Sequence, residues 1–455
     1  MFLERVKSEI VASISYLIGS ASEAFVVDPH RDCRVYIDIT QKENVSIKYI
    51  FETHRNEDYV VGSRELASLT GAEIYHGAWP EFTYGKTLKD DEEFSVGDLK
   101  IRAIHTPGHT PGCISYSVIE LATGRQPVLV CTGDTLFVNE VGRTDLGGSE
   151  NHKEWSKNLY HSIFNMLLPL GDHVMICPAH GSGSVCGTDI AEREQSTLGL
   201  ERLQNPVLQL PLEEFVEYKM KEHHEYPPYF RMMEKYNLEG APFVGCGPTL
   251  KALSPDKFQS EMDEGGFVVD TRSPLAFSAA HMNKAYNIPK NLLSFAGWIL
   301  PYDKSLNLVV EDTTDLEYVV KSLSRIGYDN ITGYLRGGMY LWVSSGHPHQ
   351  SLAVMNVADL KSKVDSGVKL TLLDVRSLNE WNQGYMAAAQ HLYVGHLQEQ
   401  LKAVSKEYPV VTICSTGQRA SIAASILQRS RWREVLNLLG GLEAWEAAGY
   451  PITAK

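Results

Sequence analysis

The chain has 455 residues, with 42 lysines and arginines against 56 aspartates and glutamates, so its formal net charge is −14. At about 150 residues per domain, this length predicts about three domains. Hydrophobic residues at 43% and charged residues at 22% are ordinary globular proportions, which excludes a disordered, collagen-like or coiled-coil chain. An acidic chain without a Lys- or Arg-rich run lacks the positive surface that binds a phosphate backbone, so no nucleic-acid partner is expected.

The N-terminal segment and the cysteines indicate the compartment. Residues 1–20 mix charged with apolar side chains, and no uncharged apolar run approaches the roughly 20 residues that span a bilayer. We therefore expect no signal peptide, no membrane partner and a cytoplasmic location. The seven cysteines are scattered and include no CxxC pair, which argues against both a disulfide framework and a cysteine-rich zinc site.

Short apolar strands alternate with helical patterns through the first 240 or so residues. The predicted strands cover 13–17, 24–27, 49–52, 99–104, 115–118 and 128–131, and the predicted helices cover 33–41, 62–70 and 152–168. This alternation predicts a mixed α/β sandwich. The segment 210–248 is rich in Pro, Glu, His and Tyr, lacks strand periodicity and is interpreted as a helical connector.

The last 200 or so residues contain a domain-sized repeat. Asp270 and Asp374 lie 104 positions apart, each in an Asp-x-Arg sequence, and the Gly-Gly pairs at 337 and 440 are offset by 103. Within each copy, apolar runs (267–269 and 306–310; 370–373 and 410–413) alternate with helical stretches (316–324; 420–428). Such alternation predicts a parallel sheet covered by helices in each copy.

Histidines and aspartates concentrate in four loops of the first 240 residues, each placed after an apolar strand. These loops span residues 52–59, 105–112, 132–137 and 177–181. A rigid scaffold of strands can hold imidazole and carboxylate groups from such loops against one ion. The sequence therefore predicts a metal site in the first domain.

A second site of reactivity follows the strand that ends at Ile413. Cys414 begins a tight loop, Cys-Ser-Thr-Gly-Gln-Arg, that leads into a helical stretch, with Arg419 nearby. Backbone N–H groups at a helix N-terminus and a neighbouring guanidinium both stabilise a thiolate or a persulfide anion. Cys414 is therefore predicted to be a nucleophile.

The four polar loops, in this order, resemble the metallo-β-lactamase superfamily, whose first loop usually reads His-x-His-x-Asp-His. His54 and Asp58 match that motif, whereas Asn56 and Tyr59 replace the second and third histidines. Neither an amide nor a phenol is a comparable ligand for a zinc pair, so a binuclear hydrolase is disfavoured.

The remaining ligand set, His54, His109 and Asp134, is that of a mononuclear non-haem Fe(II) site, and the resemblance to the persulfide dioxygenase branch implies the same three iron ligands. Purified protein could carry zinc instead. The stretch 142–145, Gly-Arg-Thr-Asp, resembles a motif of that branch, which implies that Arg143 binds the carboxylate of a thiol-bearing substrate.

The other positions in these loops have supporting roles or remain open. His180 is assigned either to the substrate pocket or to a structural role, and Tyr59 either donates a hydrogen bond to the substrate or O2 or packs. Asp58 and Asn56 are expected to support a ligand or the loop rather than to bind the metal.

The loop at Cys414 resembles the rhodanese active-site loop, Cys-x-x-Gly-x-Arg, with Ser415, Thr416, Gly417 and Gln418 between the nucleophile and Arg419. The position equivalent to Cys414 in the first repeat is Glu311, without a Gly-x-Arg loop. The first repeat is therefore predicted to be an inactive rhodanese-like domain, used as a spacer or an assembly surface.

Together these features predict an α/β protein with a metallo-β-lactamase αββα sandwich (1–248) followed by an inactive (249–350) and an active (351–455) rhodanese-like domain with parallel sheets. The order resembles persulfide dioxygenase–rhodanese fusions. The resemblance implies oxidation of a small thiol persulfide to sulfite, sulfur transfer through Cys414 to or from thiosulfate, and a homo-oligomer, dimer or tetramer. Two alternatives stay open: a glyoxalase II-like thioester hydrolase fused to a sulfurtransferase, and a sulfurtransferase with a degenerate metal domain.

Overall fold

The computed structural model describes residues 1–187, 189–245 and 250–453. The described residues form two compact units. One contains the residues up to 245 together with Ser324–Gly327, and the other contains residues 250–323 and 328–453. The predicted boundary between 248 and 249 lies outside the described residues, and the one between 350 and 351 falls inside the second unit and stays a prediction.

Two sheets make up the first unit. The first sheet runs in the order β1 to β6, with β1 (Phe2–Ser8), β2 (Ser13–Ser20), β3 (Glu23–Val27), β4 (Ser46–Phe51), β5 (Glu73–His76) and β6 (Lys86–Thr87). The second runs in the order β12 to β7, with β7 (Glu93–Val96), β8 (Leu99–His105), β9 (Ile114–Glu120), β10 (Pro127–Gly133), β11 (Met175–Pro178) and β12 (Ser196–Thr197).

Apolar side chains from the facing sheets form the central core, and helices cover the outer faces. The central core includes Phe25 and Phe51 from the first sheet and Ile101, Tyr116 and Leu129 from the second. The helices are α1 (Arg34–Glu43), α2 (Ser63–Thr70), α3 (Ser149–His161), α4 (Leu198–Gln204), α5 (Leu212–Lys221) and α6 (Phe230–Glu239). Separate apolar clusters bury α1 and α2 against the first sheet and α3 and α5 against the second, so the predicted αββα sandwich is confirmed.

The largest boundary difference concerns the helix predicted over 152–168. The α-helix begins earlier, at Ser149, and ends at His161, where a π-helical turn at Ser162–Leu167 follows. A short 3-10 turn containing Pro169 follows. Because proline cannot donate a backbone N–H, the α-helix cannot continue through this position.

The second unit contains the two repeats, each with a five-stranded parallel sheet. The first repeat has β13 (Lys251–Leu253), α7 (Pro255–Asp263), β14 (Phe267–Asp270), α8 (Pro274–Ala279), β15 (Tyr286–Asn287), α9 (Ala296–Ile299), β16 (Leu306–Val309), α10 (Leu316–Arg325), β17 (Ile331–Leu335) and α11 (Gly338–Ser344). The second has β18 (Ala353–Met355), α12 (Val357–Asp365), β19 (Thr371–Asp374), α13 (Leu378–Gln383), β20 (Gln390–His391), β21 (Val410–Ile413), α14 (Gln418–Arg429), β22 (Val435–Leu438) and α15 (Gly441–Ala447). The strand orders, β13-β17-β16-β14-β15 and β18-β22-β21-β19-β20, are equivalent, and every described strand pair is parallel, which confirms the predicted duplication.

The repeats also share side-chain hydrogen bonds. Trp342 Nε1 donates to the carbonyl of Pro348 at 2.9 Å, and Trp445 Nε1 donates to the carbonyl of Pro451 at the same distance. The motif around each Gly-Gly pair therefore anchors the last helix of its repeat in the same way.

A buried ion pair follows the first long strand of each repeat and gives a testable prediction. In the second repeat, Arg376 donates to both carboxylate oxygens of Asp374, and both side chains are buried. Asp374→Ala leaves the guanidinium buried without its counter-charge, so we expect the free energy of unfolding to fall by about 3–5 kcal/mol. The same substitution at Asp365, which pairs with Lys361 on the surface, should cost less than about 1 kcal/mol. Urea denaturation measures both, and equal losses would contradict the prediction.

None of the helices in the described part of the chain is both long and apolar enough to cross a membrane.

Candidate metal centre and sulfur-transfer site

Three loops at one edge of the sandwich bring together the side chains predicted to bind a metal. His54 follows β4, His109 lies between β8 and β9, and Asp134 follows β10. Asp134 Oδ2 lies 3.9 Å from His54 Nε2 and 3.5 Å from His109 Nε2. All three side chains are buried. One ligand atom from each lies within 4.8 Å of the others, a spacing that a single ion can bridge.

Hydrogen bonds fix the orientation of both imidazoles. His54 Nδ1 donates to Thr53 Oγ1 at 2.9 Å, and Thr53 Oγ1 donates to Asp28 Oδ2 at 2.6 Å. His109 Nδ1 donates to the backbone carbonyl of Arg143 at 2.9 Å. Each ring therefore carries its proton on Nδ1 and presents the Nε2 lone pair to the centre of the site.

The unpaired atoms of this cluster fit a divalent cation. Among the described residues, His109 Nε2 and Asp134 Oδ2 are buried without a hydrogen-bond partner. An unsatisfied buried polar atom costs about 1–3 kcal/mol, which a bound cation would offset. Burial alone would raise the pKa of Asp134, but the nearby His180 and His54 outweigh it and hold this pKa well below its usual value. Two imidazoles and an ionised carboxylate suit Fe(II) or Zn(II).

His180 lies between two carboxylates beside the metal ligands. Its Nδ1 donates to Asp134 Oδ1 at 2.8 Å and its Nε2 donates to Asp58 Oδ2 at 2.9 Å. Burial would lower the pKa of His180, but these carboxylates outweigh it and raise the pKa well above its usual value. An imidazole that donates from both nitrogens has no lone pair for a metal. Cys186 joins Asp58 and His180 in a second group of potential ligand atoms. Both ring nitrogens of His180 lie within hydrogen-bond distance of carboxylate oxygens in this arrangement.

Asn56 and Tyr59 occupy the positions of the replaced histidines. Asn56 Nδ2 donates to the backbone carbonyl of His54 at 3.4 Å, which supports the loop. The Tyr59 side chain is buried, and its ring lies 5.5 Å from that of His30 and 6.2 Å from that of His180. Its hydroxyl has no hydrogen-bond partner within the described ranges. Roles for Tyr59 and His180 in substrate binding stay predictions.

The Gly-Arg-Thr-Asp loop packs directly against the metal site. An added Cβ at Gly142 would lie 1.9 Å from the carbonyl oxygen of Asp134, so only glycine permits this approach. The buried Arg143 guanidinium donates to both oxygens of Asp145 at 2.7 and 2.8 Å. A substrate carboxylate would therefore have to displace Asp145 to reach Arg143, and this role also stays a prediction.

Glu57 is a buried carboxylate of the site that the sequence analysis did not select. Its Oε2 lies 3.8 Å from His54 Nε2 and 3.6 Å from His109 Nε2. Burial would raise the pKa of Glu57, but the two imidazoles outweigh it and lower the pKa below its usual value. The sequence feature that could have identified Glu57 is its position three residues after the predicted ligand His54. Carboxylates in polar loops are mostly exposed, so this spacing did not single it out. The sequence analysis also did not select Asp28 and Thr53, which orient His54.

The second site lies where β21 leads into α14. Cys414 Sγ accepts hydrogen bonds from the backbone N–H groups of Gly417 at 3.1 Å and Ala420 at 3.4 Å. Gly417 has φ of +93°, a left-handed conformation that favours glycine and turns the chain into the helix. The buried Cys414 sulfur thus lies against the first turn of α14, with backbone N–H groups directed at it.

Arg419 is held by Glu380, a residue of α13 that sequence reasoning missed. Its Nη1 and Nη2 each donate to a Glu380 oxygen at 2.6 Å, and Ser415 Oγ donates to Glu380 Oε1 at 2.9 Å. Burial would raise the pKa of Glu380, but Arg419 outweighs it and lowers the pKa to about 2. Because the guanidinium is committed to Glu380, its influence on Cys414 is electrostatic. Thr416 is exposed.

The first repeat has no cysteine at the equivalent position but contacts the loop of the second. Glu311 is exposed at the end of β16. Asn291 Nδ2 donates to Gln418 Oε1 at 2.6 Å, and Ser421 Oγ donates to Asn287 Oδ1 at 2.6 Å. The first repeat therefore helps to hold the N-terminal half of α14, a contribution that its prediction as a spacer or assembly surface did not include.

Comparison with known proteins identifies the domains in which these two candidate sites lie. The family description "Metallo-beta-lactamase superfamily" matches residues 11–180, and "Rhodanese-like domain" matches residues 254–345 and 356–448. The chain is 35% identical over 238 residues to an uncharacterized protein of Mycobacterium tuberculosis, a match that covers 46% of this chain and 98% of that protein. The chain belongs to the metallo-β-lactamase superfamily. It also carries two rhodanese-like domains, so the predicted combination of domains is confirmed.

This metallo-β-lactamase superfamily protein is also similar to a named enzyme and to a protein of known structure. It is 27% identical over 224 residues to the human mitochondrial persulfide dioxygenase ETHE1, covering 48% of this chain and 79% of that protein. A solved metallo-beta-lactamase from Staphylococcus aureus superposes with a TM-score of 0.65 at 29% identity, covering 74% of this chain and 99% of that chain. The predicted resemblance to persulfide dioxygenase–rhodanese fusions is therefore confirmed.

A glycine in the second rhodanese-like domain gives a prediction for the cysteine loop. Gly441 has φ of +56°, and an added Cβ would lie 2.1 Å from the carbonyl oxygen of Cys414. Gly441→Ala should therefore displace the loop and lower kcat/KM for sulfur transfer by at least about tenfold, because misplacing reacting groups by an ångström is costly. Gly449→Ala is the matched control, since Gly449 also has a positive φ but open space around it. A steady-state thiosulfate assay tests both, and a comparable loss in the two variants would contradict a specific effect on the loop.

Proposed function

We propose that this protein is an iron-dependent persulfide dioxygenase whose second rhodanese-like domain transfers sulfane sulfur through Cys414. The observation that carries the proposal is the convergence of His54, His109 and Asp134 beside His180, whose two ring nitrogens lie 2.8 and 2.9 Å from carboxylate oxygens. A centre of two imidazoles and one carboxylate leaves positions open for two reactants. A binuclear hydrolase would in addition need His180 as a metal ligand, whereas both ring nitrogens of His180 lie within hydrogen-bond distance of carboxylates.

The metal centre would hold Fe(II) through His54, His109 and Asp134. Bound Fe(II) would supply the redox chemistry for the reaction with O2. The chain's own residues orient the ligands: Thr53 and the Arg143 carbonyl hold the rings, and burial excludes water. The sequence similarity to proteins named persulfide dioxygenase supports this assignment.

The proposed oxidation converts a small thiol persulfide to a thiol and sulfite. In balanced form, RSSH, O2 and H2O give RSH and H2SO3, with the terminal sulfur oxidised and O2 reduced. The Arg143 guanidinium already binds the Asp145 carboxylate through two hydrogen bonds. In the proposal, the carboxylate of the thiol carrier would replace Asp145 and bind Arg143 in the same way.

The proposed sulfur transfer takes place at Cys414. The thiolate attacks the sulfane sulfur of RSSH, the S–S bond breaks, and RSH leaves with the proton, which gives a Cys414 persulfide anion. Sulfite then attacks the outer sulfur, releases the Cys414 thiolate and forms thiosulfate. The N–H groups of Gly417 and Ala420 would stabilise both anionic forms of the cysteine. The reverse reaction would cleave thiosulfate.

Placing both sites on one chain couples the steps in this proposal. Sulfite made at the metal centre is the acceptor needed at Cys414, and tethering raises its effective concentration there. The pair of activities would then yield thiosulfate from two persulfide molecules.

The test is O2 consumption by the full chain, prepared without oxygen and loaded with Fe(II), after addition of glutathione persulfide. We expect rapid O2 uptake and, at the end, one sulfite for each persulfide consumed or one thiosulfate for every two. No uptake with either glutathione persulfide or coenzyme A persulfide would overturn the dioxygenase. Hydrolysis of S-lactoylglutathione by the same sample would then favour the thioester hydrolase.

A further inference from the structure

The Glu57 side chain lies beside the metal ligands, and one of its two carboxylate oxygens has no hydrogen-bond partner among the described residues. Its Oε2 lies within 3.8 Å of both His54 Nε2 and His109 Nε2, distances too long for hydrogen bonds. The residue is 1% exposed, and Oε2 has no hydrogen-bond partner among the described residues. A buried carboxylate oxygen without a partner is costly, so its orientation into the site needs a compensating group.

The position of Glu57 parallels that of Asp134. Asp134 Oδ2 lies 3.9 and 3.5 Å from the same two nitrogens, and it too is buried and unpaired within the described ranges. Ligands about 2.0–2.2 Å from one ion lie roughly 3–4 Å from one another, which matches the separations of both carboxylates from the imidazoles.

The other oxygen of Glu57 is anchored away from the centre. Arg55 Nη2 lies 3.4 Å from Glu57 Oε1 and 3.0 Å from Glu234 Oε1. One oxygen is therefore held at the rim of the site while the other points at the ligand nitrogens. The ion pair with Arg55 does not explain the position of Oε2, because Arg55 contacts Glu57 through Oε1.

We propose that Glu57 is a fourth protein ligand of the metal, giving a centre of two imidazoles and two carboxylates. The inference rests on the proposed metal centre at His54, His109 and Asp134, and extends it. Two carboxylates neutralise the charge of a divalent ion and increase the preference for metals that favour oxygen ligands. A six-coordinate ion would retain two open positions, enough for the substrate sulfur and O2.

The test uses Co(II) bound to the full-length metal-free protein, because its visible absorption bands report the ligand set without any turnover. Glu57→Gln keeps the size of the side chain and removes the carboxylate. We expect the Co(II) dissociation constant, measured against a competing chelator, to rise at least about tenfold, and the absorption bands to shift in energy and intensity. Glu73→Gln, a change at an exposed glutamate paired with Lys86, is the matched control and should match the wild type in both readouts.

The outcomes separate the role of Glu57 from that of the centre itself. A Glu57→Gln spectrum superimposable on the wild type would overturn ligation, even if affinity fell, because a nearby charge alone changes affinity but not the ligand set. His109→Ala is included to locate the ion. If His109→Ala also left Co(II) binding unchanged, the metal centre on which the proposed function rests would be wrong; if His109→Ala lost binding while Glu57→Gln behaved as the wild type, only the present inference would fail.

Discussion

His109→Ala is expected to reduce persulfide-dependent O2 uptake by at least about 100-fold while leaving thiosulfate sulfurtransferase activity intact. His109 Nε2 is buried, unpaired among the described residues and 3.5 Å from Asp134 Oδ2, so its loss removes one of the three atoms proposed to bind the ion. Even outer groups that only orient a ligand contribute 10–100-fold to affinity or activity, so loss of a ligand should cost at least as much. Oxygen-electrode rates and iron content, measured on the same preparation, check the result.

A matched control and the second activity make this prediction specific. His173→Ala removes an exposed histidine of the same domain and should keep both activities. Because the sulfur-transfer site belongs to the other compact unit, its activity in His109→Ala shows that the second unit is folded, and the circular dichroism spectrum of the variant checks the fold of the first unit. Unchanged O2 uptake with full iron content in His109→Ala would contradict the assignment of the metal site.

Cys414→Ser is expected to give the reverse pattern, with sulfur transfer reduced by at least about 1,000-fold and O2 uptake retained. A serine hydroxyl remains protonated near neutral pH and cannot carry a sulfane sulfur, so the covalent step is lost even though the N–H groups of Gly417 and Ala420 remain. The measurement is thiosulfate formed from persulfide and sulfite, with sulfite alone expected to accumulate in the variant during persulfide oxidation.

Cys33→Ser is the matched control for the nucleophile. Burial, together with the nearby Glu65, raises the pKa of Cys33 to about 12, so this thiol is not a nucleophile at neutral pH. The control should transfer sulfur at the wild-type rate. Residual transfer in Cys414→Ser at the wild-type level would place the nucleophile elsewhere in the chain.

Much of the fold followed from local pattern. The strands predicted at 24–27, 99–104 and 410–413 are present with boundaries shifted by two residues or fewer, because alternating or continuous apolar runs between turn residues report burial directly. The duplication was visible because both copies keep the same residues at the same spacing, at Asp270 and Asp374 and at the two Gly-Gly pairs. The π-helical turn at Ser162–Leu167 was not predicted, since its apolar residues continue a helical periodicity.

For the candidate sites, the sequence, together with its family resemblance, predicted which residues carry the chemistry: His54, His109 and Asp134 in loops after their strands, and Cys414 at the start of its loop. These positions can be predicted because each reactive side chain lies within a few residues of the end of a strand, and strand ends meet at one edge of a sheet.

The tertiary structure alone decided how those side chains are held and which others join them. His180 donates to Asp134 and Asp58, which lie 46 and 122 positions away in the chain, and Arg419 is fixed by Glu380, 39 positions away. Such contacts are set by the packing of separate elements, so no local spacing encodes them. Glu57 differs, because it lies in the same loop as His54, and only its burial distinguishes it from a solvated carboxylate.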